Sequence, residues 1–184
     1  MTGNFTRNKQ NGKILERTNA MTLEQLVALQ NALFANAPFS PEDFLGKGWK
    51  LLIEEQDKTS TDLTEIDLAK CDFVNCFVEN ETRITGEVKL SRLKESKVRH
   101  GASVFMGLWM DYQTRKKESV LEKLYKSKGI TCLDFFGDVL LDPGGGRCVL
   151  YLYRSGDGVW NWGYRWLVSG WHVNDLSLVS GQVS

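Results

Sequence analysis

Histidine is almost missing from this chain: His100 and His172 are the two it has. Imidazole metal centres and nucleophile–histidine triads therefore start from a small supply. Cysteine is also scarce. Cys71, Cys76, Cys132 and Cys148 are too few for a disulfide scaffold in 184 residues, and their spacing fits no compact paired-cysteine zinc pattern, so no metal is expected. No charge of either sign prevails, since 23 basic residues balance 23 acidic ones. The protein thus has no global field to steer nucleic acid or an anionic membrane, and any charged partner must be recognised locally. No apolar run reaches the roughly 18 to 20 residues a membrane helix needs. The polar first twenty residues lack the apolar stretch of a secretory signal, so the expected location is the cytoplasm and the expected state soluble. No G-x-S-x-G elbow, H-E-x-x-H, P-loop or G-x-G-x-x-G occurs. The glycine-rich DPGGGR lies between two strand-like runs rather than before a helix, and reads as a hairpin turn.

What is present is a chain in two styles. Residues 1–20 carry no apolar periodicity and are expected to form a tail, leaving residues 21–184 as one domain. Helix signals follow. Thr22 with Gln25 caps TLEQLVALQNALFANA, Ser40 and Pro41 open a short helix, and TGEVKLSRLKES is expected to be helical. In SVFMGLWMDYQ, Phe105, Leu108, Trp109 and Tyr112 recur at i, i+3, i+4 and i+7, which makes one wide apolar stripe. Ser119 with Glu122 opens SVLEKLYKSKG, closed by Gly129. WKLLIEEQD is read as a strand with Trp49, Leu51 and Ile53 on one face.

After Gly129 the runs are strand-like and separated by glycine turns: ITCLDFFGDVLL, DPGGG, RCVLYLYR, SGDG, VWNWGYRWLV. The fold class expected is α+β, with helices in the first two thirds packed on a C-terminal antiparallel β-meander. Trp160, Trp162, Tyr164 and Trp166 alternate and share one face. A loop of two or four residues at SGDG pairs Arg154 with Val159, which sets Tyr153 opposite Trp160 and Tyr151 opposite Trp162, an aromatic strip two strands wide. Such a strip is either core or a stacking platform. Core packing is favoured, because exposed aromatic faces are rare and Asn161, Gly163 and Arg165 make the other face the wetter one.

The segments FLGKGW, TGEVKLSRLK, VFMGLW and FFGDVLLDPGGGRCVLYLYRSGDGVWNWGYRWLVSGW, in this order, resemble an uncharacterised family of bacterial proteins met mostly in candidate-phylum genomes. The similarity runs over roughly residues 39–180. The chain departs from the family pattern at Asp138, Leu141 and Cys148. The resemblance implies one domain with an all-β end and carries over no activity, ligand or site residue.

Function is approached by elimination. Nothing in the chain looks like an assembled catalytic constellation, which favours a non-enzymatic binding or protein-interaction module without a cofactor. Its ligand-binding candidates are Tyr151, Tyr153, Trp160, Trp162 and Trp166. A rival is a hydrolase built from scattered acidic residues, which leave no motif. A third reading is single-stranded nucleic-acid binding. There Lys89, Arg92, Lys94, Lys97 and Arg99 would contact phosphates, or an acidic partner, and exposed rings would stack on bases. Zero net charge argues against it. Residues 54–67 hold six acids against one lysine, and read as a solvated acidic loop.

Overall fold

The computed structural model describes residues 39–61, 66–95 and 97–181. The tail expected over residues 1–20 and the helix expected over residues 22–37 lie outside them. In chain order the elements are α1 (Pro41–Leu45), β1 (Lys50–Leu51), α2 (Lys58–Thr61), β2 (Cys71–Val74), β3 (Ile84–Thr85), α3 (Gly86–Lys94), β4 (Val98–Arg99), α4 (Ala102–Arg115), α5 (Val120–Lys128), β5 (Cys132–Leu141), β6 (Arg147–Arg154), β7 (Trp160–Trp166), β8 (Gly170–Trp171) and β9 (Leu176–Ser180).

The helix starts follow local capping chemistry. Ser40, Thr85 and Ser119 each accept a hydrogen bond from the backbone N–H three residues on, and Gly129 closes α5 in the left-handed region at φ 68°. Helix α4 is different. Its N-cap, Gly101, has no side chain to offer, and Asp138 Oδ2 on β5 accepts from the Ala102 N–H at 2.6 Å instead. The carboxylate reaches that far because β5 bulges between Phe135 and Leu140. At the bulge Gly137 lies against His100 and Gly101, where a Cβ would stand 2.4 Å from the Arg99 carbonyl oxygen.

The fold is α+β, and its main sheet is mixed rather than antiparallel throughout. The central order is β2-β9-β5-β6-β7, with β1 beside β5 and β4 beside β9, while β3 and β8 form a separate pair. The expected meander exists as β5-β6-β7, all antiparallel, but β9 returns to the far side of β5 and pairs with it in parallel. Strands β1, β2 and β4 come from the stretch expected to be mainly helical. WKLLIEEQD gives only the two residues of β1 and then a 3-10 turn, with Ile53 exposed. Strand β5 is buried at every position but its last, as a central strand covered on both faces must be.

Both faces are covered. On one, Phe105, Leu108 and Tyr112 of α4 and Leu121 of α5 pack on Leu133, Phe135, Leu150, Leu152 and Trp160. On the other, Leu90 and Leu93 of α3, with Ile84 and Trp171, pack on Phe136, Val139, Val149 and Val179. The α4 stripe is thus the cover expected of it, except that Trp109 lies half-buried at its margin, stacked 5.9 Å from Tyr112.

Candidate functional site

The loop at SGDG decides the site. Its hydrogen bonds run from Ser155 N–H to the Val159 carbonyl and from Gly158 N–H to the Ser155 carbonyl, with Gly158 at φ 86°. This is a tight turn closed by a left-handed glycine, so Ser155 pairs with Val159 across an odd-numbered loop. Arg154 therefore pairs with Trp160, and not with Val159 as expected. One residue of slip moves every side chain to the other face. Tyr153 sits opposite Asn161 and Tyr151 opposite Gly163, whereas Trp162 and Tyr164 sit opposite Leu152 and Leu150. The tyrosines and the tryptophans occupy opposite faces, and the strip two strands wide does not exist.

On the face covered by α4 the β7 rings form a gradient. Trp160 is buried at 1 % exposure, Trp162 is half-buried against Phe44 (4.7 Å) and Phe105, and Tyr164 and Trp166 are 37 % and 43 % exposed. Trp49 closes on Tyr164 at 4.7 Å, Tyr164 meets Trp166 edge-on at 5.5 Å, and the Trp166 indole N–H donates to Asp142 Oδ2. The row is therefore core at one end and surface at the other. On the opposite face Tyr151 and Tyr153 are half-buried and 5.5 Å apart, and Tyr151 lies across Gly163, where a Cβ would meet its ring at 2.9 Å. The Arg165 guanidinium is held between the Tyr151 and Trp171 rings and donates to Asp175 Oδ2.

Strand β7 is also an edge. The bonds Ser155–Val159 and Leu167–Arg147 at its two ends place the odd-numbered residues toward β6, so the even-numbered backbone groups point outward. Of these, the Trp160 N–H donates to the Tyr112 hydroxyl and the Trp166 carbonyl accepts from Ser169. Among the described residues nothing pairs with the Trp160 carbonyl, the N–H and carbonyl of Trp162 and Tyr164, or the Trp166 N–H. Val159, Tyr164, Trp166 and Val168, four of the nine large apolar side chains exposed among the described residues, belong to this strand or its flanks. Sequence reasoning named Trp166 but omitted Tyr164 and the backbone edge; the edge depends on which strands flank β7, a matter no local pattern states.

The basic candidates have a different fate. Lys89 is completely buried, bound to Asp134 at 2.8 Å and to the Asp175 carbonyl at 2.6 Å. Arg92 makes a two-pronged pair with Glu81, Lys94 pairs with Glu55, Lys97 with Asp72, and Arg99 with Asp57. Every one of the five faces a carboxylate of its own chain. The acidic stretch supplies two of those partners, Glu55 and Asp57, and the other three come from Glu81, Asp72 and Asp134 elsewhere in the chain.

Two buried polar clusters were not legible beforehand. Asp134 Oδ2 accepts from both Lys89 and the Trp171 indole, while its Oδ1 has no partner; burial pushes this carboxyl up against the pull of Lys89. At the other end of the sheet the His100 Nε2 lies 2.6 Å from Ser180 Oγ and 3.8 Å from Cys71 Sγ, and its Nδ1 lies 3.5 Å from Ser60 Oγ. Burial lowers the His100 pKa to about 4, with Asp57 opposing, and raises that of the Cys71 thiol. Both groups are therefore neutral at pH 7, a packed polar cluster rather than an ionised nucleophile. Among the described residues no group of His, Cys, Asp and Glu is arranged to hold a metal, and no helix is long and apolar enough to cross a membrane. No protein-family model, curated protein or solved structure matches the chain.

Proposed function

We propose that this chain is a non-enzymatic protein-interaction module that takes up an extended polypeptide strand along the open edge of β7. The observation that carries the reading is the coincidence, on one strand, of outward backbone groups that nothing among the described residues pairs with and of the exposed Tyr164 and Trp166. Backbone pairing supplies affinity in such a mode, and the alternate side chains supply selectivity. Natural edge strands are usually blunted by charge, proline or a bulge; WNWGYRW has no lysine or proline and pairs with β6 without a bulge, and its one charge, Arg165, is bound to Asp175 of its own chain. Of the ligand-binding candidates, Trp166 lies in this surface, Trp162 supports it from beneath, and Trp160 belongs to the core. Tyr151 and Tyr153 contact the strand from its other face.

The rival readings have less to stand on. A hydrolase needs carboxylates open to a substrate, yet Asp134 and Asp175 lie buried against Lys89 and Arg165. Phosphate contact needs free cations, and the five candidates are ion-paired. We also place the protein in the cytoplasm, where its four free cysteines suit a reducing compartment, and within the candidate-phylum family that its segments resemble.

Selection from a displayed random-heptapeptide library tests the reading. Selected peptides should slow amide exchange at Trp162 and Tyr164. Peptides that bind while leaving those amides unchanged, or a selection that yields none, would overturn it.

A further inference from the structure

We infer that the strand that docks on β7 is the β7 of a second copy of this chain, antiparallel and centred on Gly163. The inference rests on the strand-docking reading above and names its partner. Its first support is a matching of free groups. In a two-fold arrangement about Gly163, Trp162 lies opposite Tyr164 of the other copy and Trp160 opposite Trp166. The outward N–H and carbonyl of Trp162 then exchange bonds with those of Tyr164, and the Trp166 N–H reaches the Trp160 carbonyl. The two groups that this register leaves over, the Trp160 N–H and the Trp166 carbonyl, are the two already bonded within the chain, to Tyr112 and Ser169. Centring the pairing on Trp162 instead strands the Tyr164 carbonyl and the Trp166 N–H. Centring it on Tyr164 strands the Trp162 N–H and the Trp160 carbonyl.

The side chains agree with that register. WNWGYRW is close to a palindrome about its glycine, so the exposed Tyr164 of each copy lies beside Trp162 of the other, while Trp160, buried under α4, joins the pairing through its backbone alone. The two glycines meet at the centre, in the kind of pair that brings backbones closest. Charge raises no conflict, since Arg165 keeps Asp175 of its own chain. Arg165, the one ionised residue of the strand, faces Asn161 of the other copy. The Asn161 amide nitrogen is engaged with Ser155 and Val159, which leaves its oxygen to accept from the guanidinium. No like charges are opposed. The strand and its flanks offer on the order of 1,000 Å² of total buried area, the low end for protein pairs, so the association is weak and reversible.

Sedimentation velocity on the full chain at about 10 to 500 μM covers the range expected of an interface this small. The sedimentation coefficient should rise with concentration, and amide exchange at Trp162, Tyr164 and Trp166 should slow with it. Asn161, Gly163 and Arg165, already facing β6, should not change. Tyr164→Lys should weaken the association by about tenfold or more, because an ammonium would be set against a ring in a desolvated pair. A chain that stays monomeric throughout overturns the inference, as does self-association that leaves those three amides unprotected or is untouched by Tyr164→Lys. The exchange measurement uses the unaltered chain, so it decides even if the variant fails to fold. Library peptides that protect the same amides on a strictly monomeric protein would overturn self-pairing alone and leave the strand-docking reading intact.

Discussion

The two faces of the sheet solve the same burial problem by different means. Under α4 and α5 the contact is hydrocarbon and aromatic, with Phe105, Phe135, Leu121 and Leu152 at most 1 % exposed. Under α3 it is apolar around a charge: Lys89 and Asp134, both fully buried, meet in the middle of it beneath Trp171. Apolar packing tolerates exchange of shape for shape, whereas a buried ion pair fixes one partner in one place and penalises anything that removes half of it. The α3 face is therefore the one expected to suffer most from loss of a single polar partner.

Mutation can break that contrast. Lys89→Met should destabilise by about 3 to 5 kcal/mol, because it leaves Asp134 buried and unpaired. Adding Asp134→Asn, which keeps an acceptor for the Trp171 indole, should recover at least about half of the loss. Denaturant melts of the single and double variants check this; a double variant no more stable than Lys89→Met would mean that the face is not organised around the pair. On the other face Phe105→Ala should cost about 3 to 5 kcal/mol and no compensating partner should exist. Trp109→Ala, at the half-buried margin, should cost clearly less, about 1 to 2 kcal/mol.

The contrast is sharpened by acid. His100 has its folded pKa depressed from 6.5 to about 4, so the unfolded chain takes up a proton below pH 6.5 that the folded chain refuses. Stability tied to this residue is fully present above pH 6.5 and is lost as pH falls toward 4, by up to about 3 kcal/mol. Melting temperatures from pH 7 to pH 4 should show the decline, and His100→Gln should flatten it. The smallest effect belongs to the loop. Gly158→Ala forces a side chain into the left-handed region beside the Arg154 guanidinium and should cost about 1 kcal/mol. Its amide spectrum should still report Arg154 paired with Trp160; a shift to Val159 would show that the glycine alone fixes the register.

That loop also marks how far the sequence can be read. Ser40, Ser119 and Gly129 were legible because capping is decided within four residues. The β5-β6-β7 hairpins were legible for the same reason. Loop parity was not: SGDG accommodates loops of two, three or four residues, and a difference of one placed Tyr151 and Tyr153 on the wrong face. The charge pairs were hidden by distance along the chain, with Lys94–Glu55 separated by 39 residues and Lys89–Asp134 by 45. A cation on a helix reads as solvated until its partner is known. The same holds for the edge of β7, since an edge is defined by how the strands around it are ordered, and among the described residues β6 alone pairs with β7.

Asp138 carries one more consequence, for the way the molecule opens. Helix α4 has no cap of its own, and its first N–H is held by a carboxylate 36 residues away on the β5 bulge, while Gly137 N–H on the same bulge is held by the His100 carbonyl just before the helix. Neither the start of α4 nor the bulge can come undone without releasing the other. Helix ends ordinarily fray at little expense, but this one is bound into the most buried strand of the sheet. The Ala102 and Gly137 amides should therefore exchange with solvent in a single opening event, as one cooperative unit that joins a helix to a strand across most of the chain's midsection.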